Sequence, residues 1–415
     1  MHSYLGDLGL LRDRRFALLL TARTISMLGS SFAPVALAFG VLGLPGATAS
    51  TLSVVLTAEA LPMLVFMLVG GVIADRLPRQ RVMMAGEFLM AAGWFALAVM
   101  MLTGWTPLPA LSAAAALAGI STAITFPALT GIIPEIVPTD RLQTGNALLA
   151  LGANASRVLG AVLGGGTVVL FGGGWALMAS GAMFAVAGLL IAQLRLKPGE
   201  RPRGEAHSML ADLRDGWREF RSRQWIWVVV AQFSLMVMAI QAGHGVLGPL
   251  LAKETLGGPL AWSAFLTGEA VGTIAGVLVS LRLRPRRPVL VAVLLCFPAA
   301  LPYVLLGFDA PIWAIVAGAF VLGVSFDVFG VLWQTTMQRE IPAESLSRVS
   351  SYDVLGSMMF GPIGLLLAAP AATFFGTEES LLGCAVIVVL STLAALLSPG
   401  VRNLRAPRLQ TADLK

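Results

Sequence analysis

Charge is scarce in this chain, and some of it stands where charge is costly. Arg23, Glu59, Arg157, Glu269 and Asp327 fall well inside long apolar runs, with Glu87 and Asp353 nearer the ends of such runs. If those runs cross lipid, each such group costs at least about 2.5–3.5 kcal/mol at mid-membrane, so it needs a partner or a purpose. A carboxylate at that depth can alternate between holding a proton and facing a cation, which is the chemistry of coupling rather than of bond cleavage. At about 1.5 Å per helical residue, Arg23 lies about 10 Å, Glu59 about 22 Å, Arg157 about 20 Å, Glu269 about 18 Å and Asp327 about 15 Å from the near end of its run. Glu87 and Asp353, roughly 6–8 Å deep on the same scale, are expected to snorkel to the interface. Arg23 and Glu59 differ too much in depth for a direct pair unless a helix breaks, whereas Arg157 is level with both Glu59 and Glu269. Catalysis has nothing to stand on in this sequence. The loops carry no His/Asp/Glu cluster and no metal-ligand spacing, and Gly164-Gly165-Gly166 lacks the Lys-Ser/Thr that a phosphate loop requires. Cys296 and Cys384 read as core packing, and His244 is a lone histidine near the outer end of its run, pore-lining or packed. No cofactor and no metal are expected.

The elements that must position these groups are the apolar runs themselves. In 51–81, the stretch TLSVVLTAEALPMLVFMLVGGVIA stops abruptly at Asp75-Arg76-Leu77-Pro78-Arg79-Gln80-Arg81. About 20 such residues cross a bilayer as a helix. Runs of this kind fall near 16–42, 51–74, 82–102, 110–133, 144–171 and 175–194, then near 225–251, 261–281, 288–307, 311–337, 349–375 and 380–398. These are twelve expected spans, numbered below in chain order. With 57% hydrophobic and only 12% charged residues, lipid must be the solvent for much of the chain. Every lysine and arginine except Arg23, Arg157 and Lys253 lies in the loops of one side or in the tails. The positive-inside rule then places both termini in the cytoplasm, and the net charge of +6 writes topology rather than a nucleic-acid surface. The first apolar run is long enough to remain as a span instead of a cleaved leader.

The longest polar segment, 195–224, divides the spans six and six, giving expected bundles at 1–194 and 225–415. Its first part, RLKPGERPRGEAH, reads as flexible linker. Its second part sets Met209, Leu213, Trp217 and Phe220 at helical spacing among charges. That pattern predicts an amphipathic helix lying on the membrane surface or packed beneath the bundle. The halves resemble each other: SVVLTAEA at 53–60 matches SAFLTGEA at 263–270, so Glu59 corresponds to Glu269. Gly119-Ile120-Ser121 matches Gly323-Val324-Ser325, Glu135 matches Glu340, and Ala22-Arg23 falls opposite Ala231-Gln232. Twelve spans built as a doubled six-span unit are a signature of secondary transporters.

Gly71-Val-Ile-Ala-Asp75-Arg76-Leu-Pro78-Arg79-Gln-Arg81 resembles the loop 2–3 signature of the major facilitator superfamily, G-x-x-x-D-R-x-G-R-R/K. A degenerate copy, Gly276 then Arg282-Leu-Arg284-Pro-Arg286-Arg287, sits in loop 8–9. The opening RRFALLLTARTISMLGSSFAPVALAFGVL is similar to the first span of bacterial drug- and siderophore-efflux members, and 157–166 resembles the antiporter motif of span 5. Three departures stand out: Pro78 replaces a Gly, Ala161 stands where an exporter-type Pro is expected, and span 4 has no arginine.

The resemblance covers essentially the whole chain. It implies an all-α membrane protein of that superfamily's fold, twelve transmembrane helices in two pseudo-symmetric six-helix bundles. It implies that spans 5 and 8 pack across the halves, making Arg157–Glu269 the preferred inter-half contact and Arg157–Glu59 the second choice. Asp327, on cavity-lining span 10, is expected to hold a proton or a substrate ammonium, or else to be a structural Asp bonded to Ser325 or Gln334. Arg23, on cavity-lining span 1, meets an anionic substrate or clamps the cytoplasmic end. Gly71, Asp75, Arg76, Arg79 and Arg81 form the conformational gate. Asp75 caps the positive end of a helix in the other half, a contact of about 0.3–1 kcal/mol that biases two states of similar energy.

The expected function is proton-coupled export of hydrophobic or amphipathic small molecules, such as drugs, siderophores or secondary metabolites, by alternating access. The alternative is a symporter or facilitator importing a metabolite. An enzyme on lipid-linked substrates lacks its catalytic cluster, and a sensor lacks its soluble module. The expected partners are a small-molecule substrate, protons and the lipid of a bacterial cell membrane. Nucleic acid is not among them, and the chain is read as a monomer.

Overall fold

The computed structural model describes residues 8–138, 141–194 and 209–405, without the side chains of 68–76 and of scattered positions elsewhere. Among the described residues, twelve helices are long and apolar enough to cross a bilayer. They are span 1 Arg14–Leu42, span 2 Ala49–Arg76, span 3 Arg79–Thr103, span 4 Leu108–Ile136, span 5 Leu142–Phe171 and span 6 Gly173–Ala192. The second set is span 7 Gln224–Glu254, span 8 Pro259–Arg282, span 9 Pro288–Gly307, span 10 Ile312–Glu340, span 11 Arg348–Phe375 and span 12 Thr377–Leu396. Helices satisfy their own backbone groups, as a bilayer demands, and no strand occurs among the described residues. An even number of spans leaves Arg14 at the start of span 1 and Leu396 at the end of span 12 on one side, called here the terminal side. Loops on the opposite side are very short. Gly172 and Gly376 turn the chain there with φ of 88° and 100°, a region that glycine enters without strain.

The spans follow the hydropathy runs with local departures. Span 7 carries a π-helical turn at Gly243–Leu247, a feature often found where a helix has a task beyond spanning. Span 9 is interrupted before Leu301, where Pro298 lies in a short 3₁₀ turn. Span 11 breaks at Met359 and Phe360, just ahead of Pro362. Pro34 and Pro62 are absorbed in unbroken helices.

Packing repeats between the halves. Span 2 lies on span 4, span 1 on spans 5 and 6, and span 3 on spans 4 and 6. Adding six to every number gives the second half: span 8 on 10, span 7 on 11 and 12, span 9 on 10 and 12. The crossings between halves obey the same rule, span 5 on span 8 and span 11 on span 2. Glycine enables the close crossings, as it must where lipid offers helices no hydrophobic drive to associate. A methyl at Gly119 would collide with the Glu59 carbonyl, and one at Gly323 with the Glu269 carbonyl. The sequence match of these four residues is thus a contact made twice.

The amphipathic segment forms a helix, Met209–Ser222. Trp217 and Phe220 place their rings 5.5 and 6.0 Å from Tyr352 of span 11. Arg223 holds Glu219 at 2.7 Å and donates to the Glu340 carbonyl at 2.5 Å. Of the two expected placements, the helix takes the one packed against the bundle. The Leu213 side chain and the linker before the helix lie outside the described residues.

Gly119→Ala and Gly323→Ala should each destabilise the purified protein by about 1–3 kcal/mol, the usual cost of overpacking. Gly383→Ala, whose methyl meets nothing within 4 Å, should leave thermal unfolding unchanged or slightly raised.

Candidate functional site

Contacts between the halves gather on the side opposite the termini. Lys253 at the end of span 7 donates to the Leu42 carbonyl of span 1 at 2.5 Å. The Ser263 hydroxyl of span 8 donates to the Ala161 carbonyl of span 5, and Gly165 fits against the same serine. Gly245 of span 7 lies between Leu56 of span 2 and Leu365 of span 11. Small residues and backbone make much of this closure, with the Lys253 side chain reaching across it to a backbone carbonyl.

Behind the closure stands a pair that sequence reasoning underrated. Nδ1 of His244, on the π-helical turn of span 7, is 4.0 Å from Oε2 of Glu269 on span 8. Phe265 meets the imidazole edge-on at 5.1 Å, and Tyr303 lies 5.8 Å away. His244 is mostly enclosed and Glu269 about a third exposed. An imidazole and a carboxylate at this range form an ion pair only while the imidazole carries a proton. Both partners sit on helices that touch the first half. The visible signal in the sequence was Gly243-His244-Gly245, two flexible residues around the one histidine in an apolar run.

The preferred Arg157–Glu269 pair and its second choice, Arg157–Glu59, do not form. Spans 5 and 8 do pack, as the resemblance implies, but through Ala161 and Ser263. Glu269 is six residues beyond Ser263, about 240° around the helix, and turns toward span 7. Equal depth does not make two side chains face each other. Arg157 is exposed and has no ion pair among the described residues. The hydrogen bond of Asp327 comes from Ser280 of span 8 at 3.5 Å rather than from Ser325 or Gln334. Glu59, the repeat partner of Glu269, is partly buried without an ion pair among the described residues.

Glu87 and Asp353 do not snorkel; they are 3% and 6% exposed. Snorkelling needs a helix face open to the interface, and both side chains turn inward. Glu87 accepts a hydrogen bond from Ser26 at 3.0 Å and feels the charge of Arg23. Arg23 and Glu87 line a cavity of about 110 Å³ with Ser30, Thr122 and Thr125. In the second half a cavity of about 260 Å³ is walled by Phe233, Phe326, Phe329 and Trp333. Phe233 stacks on Phe329 at 5.1 Å. The Trp333 indole N–H donates to Asp353 at 3.0 Å, which fixes the ring plane.

Of the gate residues, Arg79 forms an ion pair with Glu135 at 2.8 Å within the first half, and Arg81 is exposed. The side chains of Gly71, Asp75 and Arg76 lie outside the described residues, and with them the expected cap by Asp75.

Twelve helices in two repeated sets, meeting along one side with charge held at depth, define a secondary transporter and not an enzyme. The chain belongs to the Major Facilitator Superfamily, whose family model matches residues 16–364. It is 24% identical to the multidrug efflux pump Tap of Mycolicibacterium fortuitum over 370 residues, covering 85% of this chain and 88% of that one. It is 26% identical to the enterobactin exporter EntS of Citrobacter koseri over 430 residues, covering 98% and 97%. Among solved structures, the nucleoside transporter NupG superposes with a TM-score of 0.71 at 13% identity, over 92% of this chain and 98% of that one. A bacterial homologue of the human lysosomal transporter Spinster, inward-facing and unoccupied, also gives 0.71, at 14% identity over 96% and 98%. The protein is thus a multi-pass bacterial membrane transporter for small molecules.

Asp353→Ala should cost about 1–3 kcal/mol, because it leaves a buried indole N–H unpaired, whereas Asp353→Asn keeps an acceptor and should cost less. Thermal unfolding, together with tryptophan emission from the purified variants, checks both.

Proposed function

We propose that this transporter is a proton-coupled exporter of hydrophobic or amphipathic small molecules, working by alternating access. The observation that carries the reading is the His244–Glu269 contact, a neutral imidazole beside a carboxylate that becomes an ion pair when the imidazole takes up a proton, and which links spans 7 and 8 of the closure. Relatives named as an efflux pump and an exporter support the outward direction, and the aromatic-walled cavity supports an apolar or amphipathic cargo. On this reading the six-helix halves 1–194 and 225–415 rock about one another, joined by 195–224, with both termini cytoplasmic and the protein acting as a monomer in the inner membrane. Arg157 and Asp327 add a longer-range attraction between the halves, and Arg76, Asp75 and Arg81 gate the terminal side.

Everted vesicles carrying the protein should accumulate a lipophilic dye when a pH gradient is imposed and lose it on adding a protonophore. Glu269→Gln and His244→Gln should each lower gradient-driven accumulation more than tenfold while downhill dye flux persists. Undiminished gradient-driven export in Glu269→Gln would refute the coupling role.

A further inference from the structure

A groove on the flank of the second half plays no part in the contacts described above. Spans 7, 11 and 12 enclose about 430 Å³ there, floored by Ala239 and Ala242 of span 7 and walled by Ala368 of span 11 and Gly383 of span 12. Small residues make the hollow: a methyl added at Gly383 meets nothing within 4 Å. The groove opens to lipid. Span 12 packs on spans 7, 9 and 11 of its own half, and the rim residues Leu367 and Phe375 are 54% and 72% exposed. Leu365, which meets Gly245 at the closure, is not part of the lining.

One end of the groove is charged. Glu379, exposed and without a hydrogen-bond or ion-pair partner among the described residues, is the one charged group on the lining. The neighbouring Ser380 hydroxyl already donates to the Gly376 carbonyl at 2.6 Å. Glu378 and Glu379 both stand in the first turn of span 12. Two carboxylates against the roughly half positive charge of a helix start leave this mouth negative.

The repeat gives the level of that mouth. An offset of 204 residues sets Gly172 on Gly376, Phe171 on Phe375 and Gly160 on Gly364, so Glu379 takes the place of Trp175. Trp175 is exposed, as are Phe171, Trp313 and Phe374, all at span ends on the side opposite the termini. Such a ring of aromatics marks the headgroup level of a bilayer. From Glu379 down span 12 to Ile387, the groove descends eight residues, about 12 Å at about 1.5 Å per residue. One leaflet of a hydrocarbon core about 30 Å thick is about 15 Å deep. The groove therefore has the length of one acyl chain hanging from a head at Glu379.

We propose that this groove binds a phospholipid of the leaflet opposite the termini, with one chain along spans 7, 11 and 12 and a protonated primary amine head, of the ethanolamine type, on Glu379. A primary ammonium donates charge-assisted hydrogen bonds to the carboxylate. A trimethylated head has no N–H to donate, and a head with phosphate alone brings like charges together. The site is independent of the direction of transport and of its coupling.

Native mass spectrometry of the full chain tests this, with equimolar phosphatidylethanolamine, phosphatidylcholine and phosphatidylglycerol of identical chains, and with dodecylammonium as a separate probe. The wild type should retain the ethanolamine lipid about tenfold over the other two, the scale of one hydrogen bond to a charged group. Glu379→Gln should level the three, whereas Glu378→Gln, off the lining, should keep the preference. Gly383→Leu, which fills the groove, should lower retention of the ethanolamine lipid. Equal retention of the three lipids by the wild type, a preference that survives Glu379→Gln, or retention unmoved by Gly383→Leu overturns the proposal. Retention of dodecylammonium without any ethanolamine lipid also overturns it, and gives the groove to an amine cargo instead.

Discussion

The two halves touch on one side of the bundle largely through glycine, serine and backbone, with Lys253 reaching across to the Leu42 carbonyl, and this contact governs the rest. In lipid no hydrophobic drive holds helices together, so a contact of this kind depends on van der Waals fit and a few hydrogen bonds. It is close enough to exclude solvent, as at Ser263, Ala161 and Gly165, and small enough to be broken and remade. A bulky interdigitated interface would lock the halves. The His244–Glu269 pair gains its significance from position. It joins span 7 to span 8, each of which carries part of the closure, which is why the proposed coupling is placed there.

Duplication makes the asymmetries informative. Glu59 and Glu269 share a backbone setting, each against a glycine of the helix it crosses. Only Glu269 has a histidine beside it; Val35 holds the position corresponding to His244 in span 1. Arg23 and Glu87 likewise correspond in the repeat, at an offset of 209 residues, to the neutral Gln232 and Cys296. The common part of each half builds the fold, and the departures from it carry specific tasks. The second half holds the His244–Glu269 contact, the aromatic wall and the buried Asp353, while the first half holds Arg23 beside the buried Glu87.

Twelve spans, their ends and their duplication were legible in the sequence because a bilayer leaves so few solutions. A run of about 20 apolar residues has one fate there, and basic loops mark alternate ends. The amphipathic helix was legible from its period. Its seat on Tyr352 was not, since it depends on which surface span 11 presents. The Arg157–Glu269 expectation failed for a related reason. Residue counting yields depth but not the direction around the helix, and Glu269 turns away from span 5. Glu87 and Asp353 were discounted on depth alone, although their burial depends on the faces that Ser26 and Trp333 occupy. His244 was read as bland because nothing in a linear sequence shows that residues 25 positions apart meet across a helix pair.

The central claim is that protonation acts on the closure through Glu269. Spin labels at Ser50 and Glu254, introduced as cysteines in a chain carrying Cys296→Ala and Cys384→Ala, sit on opposite halves at the closed side. Electron–electron distance measurement in nanodiscs should show the short-distance population growing as pH falls, and Glu269→Gln should remove that response. A distance distribution indifferent to pH, or a response that survives Glu269→Gln intact, would contradict the account.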